Sequence, residues 1–419
     1  KGIKIKRKTM NNSALVIAFL LGSFTVTAQE TQKLDVKQAL EIGLKNNQNI
    51  QASELEVKMQ TQMQKTAFEL PKTELLGTFG QINSQAQDKN FNISQSFNPF
   101  QISAKRNLLK EYSNASATKL GVSKQEVTYS IRQSWNTLLY YEKENDVLEK
   151  QNVVMQKFVK SANLKFQTGE TNALEKTIAS AKQQELEQKI KQNKAQIAIE
   201  KSKLKVILDL KTDFIAIDTS FVPYPAMAKV DSSMVKQNPI VQLANQQVQI
   251  AQAIHKVEKS ALSPDFSVGY FLQSITGNQD VNGTSTYYNN SPQFQGFTVG
   301  IAVPLFAGSN IAKAKAAKTN IEREQKNADY INQQFKSHLE QQSEQLTTYG
   351  SLIEYYKNTA MPNANLIIKN ATKGYQNGDI SYVEYVQSIE TASQIQLNYY
   401  EAIYNYNQTI ITIQYSINQ

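Results

Sequence analysis

The chain contains the same order of secondary-structure signals twice, and this internal repeat limits the possible folds more than any other feature. In the first half, a helical stretch around 47–50 ends at Pro71. Two strand-like segments follow, at about 73–83 and 91–97, and the second leads into Asn98-Pro99-Phe100. The first half therefore begins as a helix followed by two strands.

The second half repeats this order. A helical stretch around 237–240 ends at Pro264, and strand-like segments follow at about 265–276 and 294–303. The second pair leads into Pro304-Leu305-Phe306, the counterpart of the first proline motif. Polar residues between the strands, 85–90 and 277–292, predict hairpin loops.

Each half then continues into a helix of about 65 residues, or about 100 Å at 1.5 Å per residue. We predict these helices at about 102–166 and 310–375, and Pro362 is expected to kink the second. Glycine turns close both, and return helices follow at 172–208 and 381–413. We therefore divide the chain into a first repeat, 29–208, a linker or equatorial segment, 209–229, and a second repeat, 230–419.

Heptad spacing in the long helices predicts coiled-coil packing. Spacings of three and four alternate in the last helix at Ile389, Ala392, Gln396, Tyr399, Ile403, Tyr406, Ile410 and Ile413. The first long helix shows the same spacing at Leu138, Tyr141, Asn145, Leu148, Asn152, Met155, Val159, Ala162 and Phe166. Periodicity alone fits an ordinary helical hairpin equally well, and the repeat and the strands favour the coiled coil.

The predicted strands have one large apolar face and one face of small or polar residues. Phe297, Val299 and Ile301 alternate with Thr298 and Gly300. A soluble sheet would alternate in this way, and so would strands that cross a bilayer in a closed barrel. Four strands cannot close a pore, but three copies of the chain would supply twelve. The fold class we predict is mainly α, with a membrane β-barrel.

The N-terminal residues have the composition of a secretory signal peptide. Five basic residues precede an apolar run at 14–24 and the small-residue site Val26-Thr27-Ala28. We expect 1–28 to be a signal peptide. It accounts for five of the nine net positive charges, and the remaining +4 does not indicate nucleic-acid binding. Hydrophobic residues make up 40% of the chain, too few for a bundle of membrane-spanning helices.

With these features together, the chain resembles the TolC-like family of outer-membrane efflux proteins. The resemblance covers the duplicated half, the two strand pairs, both glycine turns and the motif from Pro304 to Gly308. It implies a homotrimer whose twelve-stranded barrel lies in outer-membrane lipid and whose helices form a long periplasmic tunnel. It also implies a periplasmic adaptor protein and an inner-membrane pump, of the resistance-nodulation-division type, as partners.

The resemblance further places acidic gating residues after the second glycine turn. The first gating position falls on Glu384 and the second on Gln387, so this chain keeps one acid and replaces the other. The equivalent place after the first turn is Glu175. A capping interpretation competes, because Ser381-Tyr382-Val383-Glu384 has the capping-box pattern and the residues from Asn172 to Glu175 resemble it.

The two turns are also where the resemblance places contacts with the adaptor. Gly169 and Gly378 have the sequence context of left-handed helix C-caps. The predicted docking tip consists of Thr168, Gly169, Glu170 and Thr171 in the first turn, and of Asn377, Gly378, Asp379, Ile380 and Ser381 in the second.

The function predicted from these features is a passive exit duct in a tripartite efflux system. No phosphate-binding loop, zinc-type histidine pair or serine elbow occurs, so we expect no enzyme activity, cofactor or metal site. Two alternatives remain open at this point. One is the outer-membrane duct of a protein-secretion system, and the other is a soluble periplasmic coiled-coil adaptor.

Overall fold

A computed structural model describes residues 32–83, 85–218, 220–227 and 231–419. The predicted signal peptide, 1–28, lies outside these residues. The described chain is mainly helical, and most of its helical residues belong to a few very long helices.

The first half contains two strands between short and long helices. In order along the chain, its elements are β1 (Gln32–Leu34), α1 (Val36–Asn46), α2 (Gln48–Met63), a 3₁₀ turn (Gln64–Phe68), β2 (Glu74–Gly80), β3 (Asp88–Phe97), α3 (Pro99–Gln167) and α4 (Ala173–Leu208). The loop predicted at 85–90 is therefore shorter, because β3 begins at Asp88. The long helix exceeds its predicted bounds at both ends.

The second half begins after a short strand in the segment between the two halves. After α4, the elements in chain order are β4 (Phe214–Ala216), a 3₁₀ turn (Ser232–Gln237), α5 (Pro239–Ser260), β5 (Asp265–Gln273), β6 (Gly277–Val281), β7 (Thr284–Tyr288), β8 (Phe294–Ala302), α6 (Gly308–Tyr355), a π-helical turn (Tyr356–Ala360), α7 (Met361–Asn377) and α8 (Tyr382–Ile417). Within 209–229, β4 pairs in parallel with β1.

The segment predicted as a polar hairpin loop, 277–292, contains two further short strands, β6 and β7, which pair as a hairpin. Asn282 and Gly283 connect the two strands with φ values of 54° and 79°. Positive φ at both central residues is typical of a type I′ turn, whose twist matches that of the flanking strands.

The long second helix is interrupted at a different point from the one predicted. The expected kink at Pro362 takes the form of a π-helical turn over Tyr356–Ala360, directly before the proline. Proline has no N–H to donate, so the carbonyl that would pair with it in an α-helix is released. The wider π turn is the local consequence, and α7 resumes at Met361.

The four main strands form one antiparallel sheet in the order β2-β3-β5-β8. Its register aligns Leu75, Ile93, Tyr270 and Phe297 in a single row across all four strands. The antiparallel order also places all four junctions with the helices at one end of the sheet and the hairpin loops at the other. In the described chain, β2 and β8 each pair with one strand only, so both edges are open.

Helix α3 packs against α1, α2, α4, α5 and α8, and its middle section carries the main hydrophobic core. Trp135 is fully buried there and stacks on Phe214 with 5.8 Å between ring centroids. Its indole Nε1–H donates to Asp218 Oδ2 at 2.8 Å. This contact fixes the segment after β4 against the long helix.

The heptad seam predicted in the last helix is confirmed, since six of its positions are buried: Ile389, Ala392, Ile403, Tyr406, Ile410 and Ile413. The seam in α3 is buried at Leu138, Leu148, Met155 and Ala162. Phe166, the last predicted position of this seam, is exposed, so the buried seam ends before the helix does.

Two buried asparagines join α3, α8 and the segment at 220–227. Asn407 Oδ1 accepts from the N–H of Tyr224 at 2.7 Å, and its Nδ2 donates to Val222 O at 3.0 Å. Asn136 Nδ2 donates to Tyr404 O at 3.2 Å, and its Oδ1 accepts from Asn407. The side-chain amide of Asn407 therefore pairs one backbone N–H and one backbone C=O of a segment that has no partner strand within the described chain.

We predict that Asn407→Ala lowers the free energy of unfolding by about 2 kcal/mol, because Tyr224 N–H and Val222 C=O lose their buried partner. Denaturant titration of the purified protein measures the change. Asn405→Ala is the matched control, since this neighbouring side chain makes no hydrogen bond within the described chain, and its effect should stay within about 0.5 kcal/mol. Equal losses for the two variants would contradict the clamp.

Candidate functional site at the helical hairpin tips

The turn between α3 and α4 ends the long helix through a left-handed glycine. Gly169 has φ +79°, and its N–H donates to Phe166 O at 3.2 Å. The next N–H, of Glu170, reaches back to Lys165 O at 2.8 Å. This pair of bonds is the Schellman motif, which satisfies carbonyls that the end of a helix otherwise leaves unpaired.

The turn between α7 and α8 has the same geometry. Gly378 has φ +81° and donates to Tyr375 O at 3.2 Å, and Asp379 N–H donates to Gly374 O at 2.8 Å. Ile380 covers this carbonyl end of the helix, because a Cβ added to Gly374 would lie 3.5 Å from its side chain. Both predicted C-caps are confirmed.

The capping box predicted at the start of α8 is present. Glu384 N–H donates to Ser381 Oγ at 3.3 Å, and the Ser381 N–H donates to Glu384 Oε2 at 2.7 Å. Hydrogen bonds from the Ser381 side chain and backbone hold the pKa of Glu384 below its usual range. The carboxylate is therefore ionised at neutral pH while it caps the helix.

The start of α4 is capped differently. Asn172 Oδ1 accepts from the N–H of Glu175 at 3.0 Å, as in a capping box. The Glu175 carboxylate instead accepts from the hydroxyl of Thr171. Glu175 thus orders the turn residue before the cap, rather than the cap itself.

Gln387, the second gate candidate, lies one helical turn after Glu384, and both side chains are exposed. Residues three apart share one face of a helix, so the two candidates face the same way. The Gln387 carbonyl accepts from the Thr391 hydroxyl at 2.8 Å. Within the described chain, no hydrogen bond or ion pair joins Glu175 to either residue.

The docking candidates form two small polar surfaces. The exposed members are Thr168, Gly169, Glu170, Asn377, Gly378, Asp379 and Ser381, whereas Thr171 and Ile380 are half-buried. In the first turn, Thr168 Oγ1 donates to Glu170 Oε1 at 2.9 Å. Carboxylate and hydroxyl groups are therefore available to a partner at both turns, and the second turn adds the amide of Asn377.

An aromatic cluster that the sequence pattern did not predict lies behind the second turn. Phe158 of α3 stacks on Tyr382 of α8 with 3.4 Å between ring centroids. Tyr375 stacks on Tyr385 at 4.9 Å, and its hydroxyl lies 3.4 Å from Ser161 Oγ. Tyr382 is buried, burial raises its pKa, and its hydroxyl has no hydrogen-bond partner within the described chain.

An ion pair across the two hairpins was also missed. Lys182 of α4 lies 2.8 Å and 2.6 Å from the two carboxylate oxygens of Glu390 of α8. The two residues follow Gly169 and Gly378 at nearly equal distances in sequence, so the two turns lie at the same end of the molecule. Each side chain is about one third exposed, and solvent screening keeps the stabilisation small.

The four-stranded sheet has a second notable surface. One face carries Leu75, Phe91, Ile93, Phe297 and Val299, and Phe297 and Val299 are 84% and 80% exposed. The opposite face carries small and polar side chains, among them Ser94, Ser267 and Thr298. A contiguous apolar surface of this kind marks contact with lipid or with another protein.

The polar face of the sheet is crowded at Gly269. A Cβ placed on Gly269 would lie 2.5 Å from Thr298 Oγ1 and 3.0 Å from the carbonyl oxygen of Ile93. Only glycine fits there without displacing a backbone group.

Within the described residues, no group of three His, Cys, Asp or Glu side chains could hold a metal ion. Met59 and Met63, one turn apart on α2, are both exposed. Among the described helices, none is both long enough and apolar enough to cross a bilayer.

Comparison with solved structures shows which known proteins share this fold. CusC, described as forming a transmembrane channel, superposes with a TM-score of 0.75 at 16% identity, covering 92% of this chain and 93% of CusC. The CmeC outer membrane channel of Campylobacter jejuni superposes at 0.73 with 13% identity, covering 91% and 85%. The outer membrane protein VceC of Vibrio cholerae superposes at 0.72 with 11% identity, covering 91% and 95%.

No protein-family model matches the sequence, and no curated protein matches it. The structural similarity covers nine tenths of the chain at low identity, so it establishes the fold. The TolC-like fold expected from the sequence is confirmed.

We predict opposite effects of Gly→Ala substitution at two helical sites. Gly378→Ala should lower the free energy of unfolding by about 1 kcal/mol, because alanine is strained at positive φ. Gly350→Ala, inside α6, should raise it by about 0.5–1 kcal/mol, because alanine favours helix and the added Cβ would lie 3.7 Å from Tyr406, an ordinary contact. Denaturant titration measures both, and equal signs would contradict the assignment of Gly378 as a cap.

Proposed function

We propose that this protein is the outer-membrane exit duct of a tripartite efflux system. The observation that carries the proposal is the exposed apolar face of the four-stranded sheet, in a chain with the fold of outer-membrane channels. A soluble adaptor would expose these side chains to water, whereas a bilayer would cover them. The duct would conduct substrates passively, and the inner-membrane pump would supply the energy for transport.

The apolar face has the height that a membrane band requires. On β8 and the residues after it, outward positions from Phe297 to Leu305 are all large and apolar. β3, β5 and β8 each contain nine or ten residues, the length with which a tilted strand crosses a bilayer. The chain would therefore reside in the outer membrane, with its helices in the periplasm.

Three copies would close the barrel. Strand directions alternate across β2, β3, β5 and β8, so β8 of one copy would meet β2 of the next in antiparallel order. Twelve strands in a homotrimer leave no edge exposed to lipid, as a membrane sheet requires. The polar face would then line the water-filled interior, and the apolar face would contact lipid.

The duplicated unit would supply each copy with two helical hairpins. Six hairpins in a trimer would surround a tunnel about 100 Å long, given the length of α3. We propose that a periplasmic adaptor docks on the turns at 168–171 and 377–381, below which lies an inner-membrane pump of the resistance-nodulation-division type. The exposed carboxylates of Glu170 and Asp379 favour a basic partner surface at these turns.

We also propose that Glu384 narrows the tunnel at its periplasmic end. Three copies around the axis would form a ring of ionised carboxylates, which attracts cations. Gln387 would add a neutral ring one turn away, whereas Glu175 lies at the other hairpin, formed by α3 and α4. The cap and the gate are compatible, because one oxygen of the carboxylate serves Ser381 and the other faces solvent.

Planar-bilayer conductance of the detergent-extracted protein tests the duct, with its oligomeric mass determined on the same preparation. We predict a trimer of the mature chain that forms small, cation-preferring channels. A monomeric, water-soluble protein without conductance would contradict the proposal and would favour the adaptor function.

Two substitutions of Glu384 separate its charge from its role as a cap. Glu384→Ala removes both and should raise resting conductance. Glu384→Gln keeps an oxygen that accepts from the Ser381 N–H, so it should lower cation preference while leaving the helix start ordered. Glu170→Gln, in the first turn, is a control that should alter neither property. If both Glu384 variants leave conductance and ion preference unchanged, Glu384 has no role in gating and serves only as a helix cap.

A further inference from the structure

The segment leaving β8 exposes large apolar side chains beside an open sheet edge. Leu305 is 82% exposed and Phe306 is 98% exposed. The backbone is held on both sides of them, because Leu305 N–H donates to Val303 O at 3.0 Å and α6 begins at Gly308. The phenyl ring of Phe306 thus projects from a held backbone, and nothing in the described chain covers it.

A cavity lies at the foot of the opposite edge strand. It occupies about 400 Å³ between the residues leading into β2 and the junction of β3 with α3. Its apolar lining comes from Leu70, Pro71, Phe97 and Ile102. A cavity of about 150 Å³ is enough to hold benzene, so this one has room for a phenyl ring.

The cavity wall is held in place before any partner arrives. Gln95 Nε2 donates to Pro71 O at 2.8 Å, and Thr73 Oγ1 donates to Gln95 Oε1 at 2.7 Å. Lys105 at the rim pairs with Glu69 at 2.5 Å. Lys72, also at the rim, makes no ion pair within the described chain, so its ammonium is free to approach an aromatic face.

Strand order brings the ring and the cavity to the same level. β8 ends, and β2 begins, at the helix end of the sheet. If β8 of one copy pairs antiparallel with β2 of the next, residues 303–306 of the first lie alongside residues 69–73 of the second. A ring projecting from one edge then faces a cavity at the other.

We propose that Phe306 of each copy inserts into this cavity of the neighbouring copy, and that Leu305 covers its rim. The occupant is a second copy of the chain, and the contact repeats three times around a closed ring. The inference rests on the proposed trimeric duct and adds the residues that join its barrel to its helices. It makes each sheet–helix junction a shared structure of two copies.

Cysteine cross-linking tests the contact directly, because the sequence contains no cysteine. In the full chain, Phe306→Cys combined with Leu70→Cys should give disulfide-linked dimers and trimers that reductant removes. Phe306→Cys combined with Ile82→Cys is the matched control. Ile82 lies beyond the far end of β2, so this pair should not cross-link unless neighbouring strands run parallel. Cross-linking of the control pair alone would overturn the proposal.

Trimer stability gives a second readout that needs no disulfide. Phe306→Ala should speed trimer dissociation in detergent about tenfold or more, because three buried rings are lost. Tyr287→Ala should leave the rate unchanged, since this exposed aromatic residue lies on β7, at the end of the sheet far from the cavity.

Three further outcomes would overturn the Phe306 contact, and they show whether the proposed duct fails with it. A conducting trimer without the Phe306–Leu70 cross-link and with normal dissociation of Phe306→Ala would reject the inserted ring alone. If that variant instead lowers reconstitution into phosphatidylethanolamine–phosphatidylglycerol vesicles, lipid covers the side chain. A monomer without conductance would reject both proposals.

Discussion

The rest of the structure depends on the length of one helix. Helix α3 runs for 69 residues and contacts five other helices along its course. A rod about 100 Å long cannot be surrounded by a single compact core, so the buried side chains divide into separate clusters. The largest surrounds Trp135, and another joins the hairpins near their tips. Stability is therefore local, and each level of the rod needs its own packing partners.

Much of this architecture could be predicted because it depends on residues close together in sequence. Heptad spacing identified the buried positions of α8, and glycine followed by a capping residue identified both turns. The hairpin of β6 and β7 was missed although Asn282-Gly283 is a strong turn signal, because its strands are polar on both faces and lack apolar alternation. The interruption of α6 before Pro362 depends on which carbonyls find partners, which spacing does not reveal.

In the candidate site, too, contacts between residues close in sequence could be predicted and contacts between distant segments could not. The Ser381–Glu384 capping box involves residues three apart, so the pattern alone sufficed to predict its hydrogen bonds. The stacking of Phe158 on Tyr382 and the pairing of Lys182 with Glu390 join segments more than two hundred residues apart. Such contacts depend on how the two hairpins align, and no periodicity in one helix determines that. Sequence therefore identified the turns but not the side chains that hold them together.

The spacing of buried residues changes along α6 and α7, close to the π-helical turn before Pro362. Before it, the buried positions Ala317, Ala328 and Leu339 recur every 11 residues. After it, Ala364 and Ala371 are 7 residues apart. An 11-residue period favours a right-handed supercoil and a 7-residue period a left-handed one. Ile353 follows Leu339 by 14 residues, or two heptads, so the buried spacing changes between Leu339 and the π-helical turn, and the favoured hand of coiling changes with it.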